Sequence, residues 1–327
     1  MRKARAKSDR PGYYHLVSRC AFKRMAFGDR EKSVFVAMMR RVAAFSGIEI
    51  VAYCAMSNHF HVLVHVPEQP ELTEEVLLER VAILYGSGNA EALKGQWEAY
   101  REQKCDARAE EEQAMLRRRM GDISPFMQCL KQRFSVWYRA NHEGHEGTLW
   151  QGRFGSTFVE GGAALAAVAA YIDLNPVRAG IVSDPKDYRW SGYGAAAAGD
   201  KYARLCVTRV FRPEAQKPDF AAVAPRYREL LYVKGAAEFD PEEARKVLEA
   251  HGKLGLAESL RLKFGYFTRA FAIGSEEYVN ATVGEHPGHF GPRRKAGAAG
   301  VGLCREWNGF RLCAARKLRK NPISIPS

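Results

Sequence analysis

The chain has 327 residues, 46% hydrophobic and 11% aromatic, enough to bury the core of one large or two modest domains. No apolar run approaches the ~20 residues of a membrane helix, which argues against a spanning segment. The net charge of +13 points to a polyanionic partner, nucleic acid first. Seven cysteines, odd in number and without Cys-x-x-Cys spacing, argue against a zinc ribbon or disulfide framework and for a reducing cytoplasm. The start MRKARAKSDRPG is basic, and no apolar signal core follows it.

In chain order, YYHLVSRC (13–20) reads as a strand, rich in aromatic and β-branched residues. REKSVFVAMMRRVAAFSG (30–47) has helical spacing and ends on Gly47, a C-cap. IEIVAYCAM (48–56) and HFHVLVHV (59–66) read as two strands joined tightly through Ser57 and Asn58. Residues 71–120 carry 11 acids and 8 bases, so the remainder of the chain holds +16. Their charged, helix-prone character predicts a helical insertion over 71–122. Residues 123–142 predict a helix capped by Ser124 with Pro125 in its first position. GTLWQGRFGSTFVE (147–160) reads as a strand pair bent at its glycines, and 161–180 as an Ala-rich helix that Pro176 ends or kinks near Asn175. Beyond residue 200 the pattern predicts helices over 200–290, a Gly-rich linker at 291–302, and a tail with nine bases between 293 and 320. The order of elements gives an α+β fold, an antiparallel sheet flanked by helices, with a mostly helical basic C-terminal region.

Two clusters carry chemistry. Strand alternation puts His59 and His61 on one face, about 6.6 Å apart, while Phe60 points into the core. Paired imidazoles on such a face suit a divalent metal, or are two surface histidines on a half-exposed sheet. His65 shares the face but lies about 13 Å further along, and reads as an ordinary strand residue. Asn58 reads as a turn residue. In AAVAAYIDLNPVRAG, small neighbours leave Tyr171 accessible, and Asn175 follows one helical turn later. Tyr171 is then a nucleophile with Asn175 facing the metal, or a core tyrosine ahead of an Asn-Pro helix stop. Arg178 reads as a partner of carbonyls at that helix end or as a DNA contact.

AMSNHFHVLVHVPE (55–68), GTLWQGRFGSTFV (147–159), AYIDLNPVRAGIV (170–182) and YRWSGY (188–193), in this order, resemble the Y1 tyrosine transposases of the single-strand HUH type. They resemble most the REP-associated tyrosine transposases, relatives of the IS200/IS605 enzymes. The resemblance covers residues 11–195, taken as a catalytic domain interrupted by 71–122 and followed by a 200–290 region and a 291–327 basic tail. It implies a HUH/ferredoxin-like fold and a divalent ion, Mg²⁺ or Mn²⁺, on His59 and His61. It implies a 5′-phosphotyrosine link between Tyr171 and single-stranded DNA. Asn175 stands where relatives often carry a longer Gln ligand. Hairpins of palindromic repeats are the implied DNA target, and a homodimer is left open. Arg133, Trp150, Gln151, Arg153, Phe154 and Arg178 are the candidate DNA contacts. Two other functions fit the same residues: a hairpin-binding protein without catalysis, and a His-x-His hydrolase using activated water.

Overall fold

The computed structural model describes residues 5–8, 10–23, 25–144, 147–232, 267, 270–290, 305–307 and 310–316. Strands β1 (Gly12–Arg19), β2 (Glu49–Ala55) and β3 (His59–Val66) form one end of the sheet, with β2 at its edge. Helix α1 (Asp29–Ser46) joins β1 to β2 and ends on Gly47, whose φ of 63° is left-handed, as predicted for a glycine C-cap. The β2–β3 turn closes with the Met56 amide donating to the His59 carbonyl at 2.9 Å.

Residues 71–122 fold as three helices: α2 (Glu74–Tyr85), α3 (Ser87–Glu102) and α4 (Asp106–Arg117). Their buried residues, Leu77, Val81, Leu84 and Trp97 among them, join the main core. Trp97 is fully buried, and its Nε1 donates to Glu112 Oε2 at 2.9 Å. Helix α5 (Ile123–Asn141) starts earlier than predicted. Asp122, not Ser124, is its cap, accepting from the Ser124 amide at 2.7 Å, so Pro125 sits third in the helix. Asp fits this role because its short carboxylate reaches back to the first free amides.

The 147–160 segment provides one strand, β4 (Gly155–Val159), not a pair; Trp150 makes only an isolated bridge to Cys20. Helix α6 (Ala163–Asp173) stops before Asn175, and a single turn α7 (Asn175–Arg178) follows, as Pro176 demands. Then come α8 (Gly192–Ala197), α9 (Lys201–Phe211) and α10 (Phe220–Tyr232).

The C-terminal region departs from the helical expectation. β5 (Ala270–Gly274), β6 (Arg305–Trp307) and β7 (Phe310–Arg316) extend the sheet beyond the helix α11 (Glu276–Glu285) pattern. The order is β2-β3-β1-β4-β5-β7-β6. Among the described residues only β4 and β5 pair in parallel, so the sheet is mixed rather than purely antiparallel. The helices between residues 160 and 270 supply the long crossover that a parallel pair requires. Part of the predicted tail is thus strand. The expectations for 233–266, for the 291–302 linker and for the end of the tail concern residues outside those described.

Apolar residues divide between the two sheet faces. Phe60, Val62 and Val64 pack with α1, α5 and the 71–122 helices. Val51, Cys54 and Leu63 pack with α6, α8, α9 and α10. Cys20, Cys54, Cys105, Cys129 and Cys206 are free thiols; Cys313 is disulfide-bonded, which the reading of the cysteines did not anticipate.

Candidate functional site: a histidine relay under a tyrosine

β1 runs antiparallel to β3 with Arg19 opposite His59, Val17 opposite His61 and Tyr13 opposite His65. Residues opposite one another share a face. His15, two residues from Val17, therefore joins the same face as His59 and His61. Its Nε2 lies 2.9 Å from His61 Nδ1, and its Nδ1 lies 2.9 Å from the Phe267 carbonyl.

Hydrogen-bond chemistry then orders the protons. A carbonyl oxygen only accepts, so His15 Nδ1 carries hydrogen. Burial pushes His15 down to about 4, keeping the ring neutral, so its Nε2 is a lone pair. His61 must donate to it from Nδ1, which leaves the His61 Nε2 lone pair uncommitted. Burial, reinforced by the neighbouring His15 and His59, holds His61 well below its ordinary value too. His59 follows the same rule: its Nδ1 faces Asn58 Oδ1 at 2.6 Å, and burial with Arg19 brings it to about 4. Both candidate ligands are neutral imidazoles oriented through Nδ1, the state a metal needs.

The His59 and His61 ring centres are 5.0 Å apart. Two neutral imidazoles this close are a donor set that would suit one divalent ion. The pair therefore fits the two-histidine part of a metal site. Among the described residues no cluster of three or more His, Cys, Asp or Glu has metal-holding geometry. Water would suit Mg²⁺, which keeps much of its hydration.

α6 brings Tyr171 over this group. Its ring is edge-on to His61 at 5.8 Å and to His15 at 6.0 Å. The small neighbours in α6 do not leave it accessible as expected: it is 6% exposed, because the Phe267 ring from the C-terminal region is stacked on it at 4.6 Å. Burial raises the phenol pKa, and Arg178 acts against that rise. The Arg178 guanidinium sits 4.2 Å above the Tyr171 ring while Nη1 donates to the Tyr171 carbonyl at 3.1 Å. Asn175 Nδ2 donates to the Tyr171 and Ile172 carbonyls, both at 3.1 Å. The amide thus caps the end of α6, and only its Oδ1 could turn to a ligand.

The other singled-out residues are dispersed. Trp150 is a core residue, 7% exposed, with Nε1 donating to Ser135 Oγ at 2.7 Å. Phe154 lies under Arg5, whose Cζ is 3.4 Å from the ring centre. Gln151 and Arg153 are exposed. Arg133 lies on the opposite sheet face, with Nη2 donating to the Leu84 carbonyl at 3.4 Å. His65 is structural, as expected: Nδ1 meets Glu49 Oε2 at 2.9 Å, and the ring stacks on Tyr13. Sequence reasoning missed His15, the ring-holding role of Asn58, and Phe267. A lone imidazole at the centre of the apolar strand YYHLVSRC was the available signal for the first. Nothing local marks Phe267, which comes from 96 residues beyond Tyr171.

No curated protein matches the chain. A solved structure of a REP-associated tyrosine transposase bound to a REP hairpin is similar, with 15% identity and a TM-score of 0.40 over 61% of this chain and 87% of that one. Residues 10–77 match the family model described as "Transposase IS200 like". The match therefore runs from β1 to the start of α2 and takes in His15, Arg19, His59 and His61.

Proposed function

We propose that this chain is a transposase-type enzyme that cuts and rejoins single-stranded DNA at hairpins through Tyr171. The observation that carries the reading is the meeting of two distant segments: Tyr171 lies edge-on to His61 and His15 across the α6–sheet boundary. The family match on residues 10–77 supports it from the histidine side.

In the proposed reaction the Tyr171 phenolate oxygen attacks a DNA phosphorus. The P–O3′ bond breaks, and its electron pair and a proton leave as a 3′-hydroxyl. The phosphodiester count is unchanged, so a later 3′-hydroxyl can reverse the step without ATP. Arg178 favours the phenolate against the cost of burial, because its charge lies directly over the ring. His59 and His61 would hold the ion, Mg²⁺ or Mn²⁺, with Asn175 Oδ1 as the nearby oxygen donor. When bound, such an ion polarises a phosphoryl oxygen. His15 and Asn58 keep both imidazoles in the donor tautomer. Gln151 and Arg153, exposed beside β4, are proposed to meet the incoming strand, while Trp150 and Phe154 support that loop. Residues 11–195 are proposed as the catalytic unit, with hairpin DNA as partner and the cytoplasm as compartment. Among the described residues no helix is long and apolar enough to cross a membrane.

The activated-water reading has less support. It needs carboxylate ligands, and the nearest acid in the helix, Asp173, is committed elsewhere, to Tyr193 and Tyr227. The test is incubation with a single-stranded hairpin and Mg²⁺ or Mn²⁺. A covalent protein–DNA band is expected, lost in Tyr171→Phe with hairpin binding retained. Cleavage that persists in Tyr171→Phe would instead indicate activated water, and binding with neither band nor cleavage a non-catalytic protein. Mixing Tyr171→Phe with His61→Ala separates the oligomeric cases: activity recovered on mixing means that Tyr171 acts on the partner subunit's histidines.

A further inference from the structure

On the sheet face opposite Tyr171, α1, α5 and the 71–122 helices enclose a cleft of about 730 Å³. That volume is within the usual range for a ligand site. Its lining has a consistent chemistry. Tyr85 and Trp137 supply aromatic surface, Arg119 and Arg133 supply cations, and Gln128 and Gln132 supply amides one helical turn apart. No acidic residue lines it, and α5 contains none along its whole length.

The two arginines are held in place. Arg119 Nη2 donates to the Tyr85 hydroxyl at 2.6 Å, with Cζ 4.8 Å from the Phe45 ring. Arg133 Cζ lies 5.1 Å from the Tyr85 ring. Its Nε is buried and has no hydrogen-bond partner. Neither arginine forms an ion pair among the described residues. Two guanidinium groups without an acidic partner, beside a 36% exposed tyrosine ring, suit an anion with a flat apolar part.

The 71–122 insertion builds one wall of this cleft. None of its acids lines the cleft, and three of them have partners elsewhere in the insertion. Glu74 pairs with Arg101, Glu110 with Arg117, and Glu112 accepts from Trp97 and Tyr100. Tyr85 and Arg119 are what the insertion presents here.

We infer that the cleft is a second binding site, separate from the Tyr171 pocket, for an unpaired nucleobase and its phosphate within a DNA single strand. A base would stack against Tyr85 or Trp137, Arg119 and Arg133 would meet the phosphate, and Gln128 and Gln132 would reach the base edge.

The test is binding and photo-crosslinking, with no cleavage readout. A short single-stranded oligothymidylate carrying 5-bromodeoxyuridine is crosslinked to the full chain and the attached peptide is identified. A crosslink at Tyr85 or Trp137 is expected. Gln132→Glu places an anion at an exposed position and leaves the packing intact; Arg119→Gln with Arg133→Gln removes both cations. Each variant is expected to weaken binding roughly 5- to 150-fold, the range for losing one stacked base, with the unfolding midpoint of Gln132→Glu unchanged. Competition by dTMP at similar concentration assigns the site to a free nucleotide; competition only by the oligomer assigns it to a strand. Crosslinks confined to other segments, with Gln132→Glu binding as wild type, overturn the inference. The adduct at Tyr171 is read separately, so either result stands whatever becomes of the cleavage reading.

Discussion

Replacing Asp173 by Asn should change how stability depends on pH in a way that can be worked out beforehand. Asp173 is fully buried. Its Oδ1 accepts from the Tyr193 amide at 3.0 Å and its Oδ2 from the Tyr227 hydroxyl at 2.6 Å. Burial raises its pKa to about 6 from an ordinary 3.8, and the hydrogen bonds only partly offset this. The folded protein therefore holds a proton here that the unfolded chain releases at lower pH. Stability is full below the unfolded value and falls as pH rises to about 6. A shift of about two units corresponds to about 3 kcal/mol. Asn keeps the acceptor for Tyr193 and can donate to the Tyr227 oxygen, but does not titrate. The stability of Asp173→Asn minus that of wild type, from urea unfolding, should thus rise by about 3 kcal/mol between pH 4 and pH 7. A difference that stays flat over that range refutes the reasoning, since every other titrating group cancels in it. Asp173→Ala should lose more at any pH, roughly 1–3 kcal/mol for each of the two donors it strands.

His15→Phe removes the acceptor of His61 Nδ1–H and should lower Mn²⁺ affinity about 10- to 100-fold by calorimetry, with His15→Gln restoring part of it through its carbonyl. Because burial holds His15 near 4, wild type should lose about 3 kcal/mol relative to His15→Gln as pH falls from 6.5 to 4, read by urea unfolding. Gly194→Ala should be strongly destabilising in thermal melts: a Cβ there would sit 2.0 Å from the Tyr188 carbonyl oxygen, and backbone has to move. Trp97→Ala should cost about 3–5 kcal/mol, with loss of hydrogen-exchange protection greatest over 74–117, since Trp97 Nε1 ties α3 to Glu112 of α4.

Much of the site was legible because it rests on local periodicity. Two-residue alternation put His59 and His61 on one face, and Pro176 broke the Ala-rich helix where Asn175 caps it. The YRWSGY stretch locks onto the end of β2, with the Tyr188 hydroxyl donating to the Ala55 carbonyl at 2.7 Å, a contact that no local pattern marks. The mixed sheet was not legible, since pairing of β4 with β5 joins segments separated by the whole α6–α10 stretch. Nor was Trp150, which motif order offered as a DNA contact and packing placed in the core.

The sequence by itself determined the elements near the chemistry and which side chains share a face, because helix and strand periods are local properties of the backbone. Only the tertiary structure decided which histidine orients which. The His15–His61 bond depends on the register of β1 against β3, and its far end on a carbonyl from the C-terminal region. It also decided that the acidic insertion turns a tyrosine and an arginine toward α5, since net composition carries no information about which face a charge occupies.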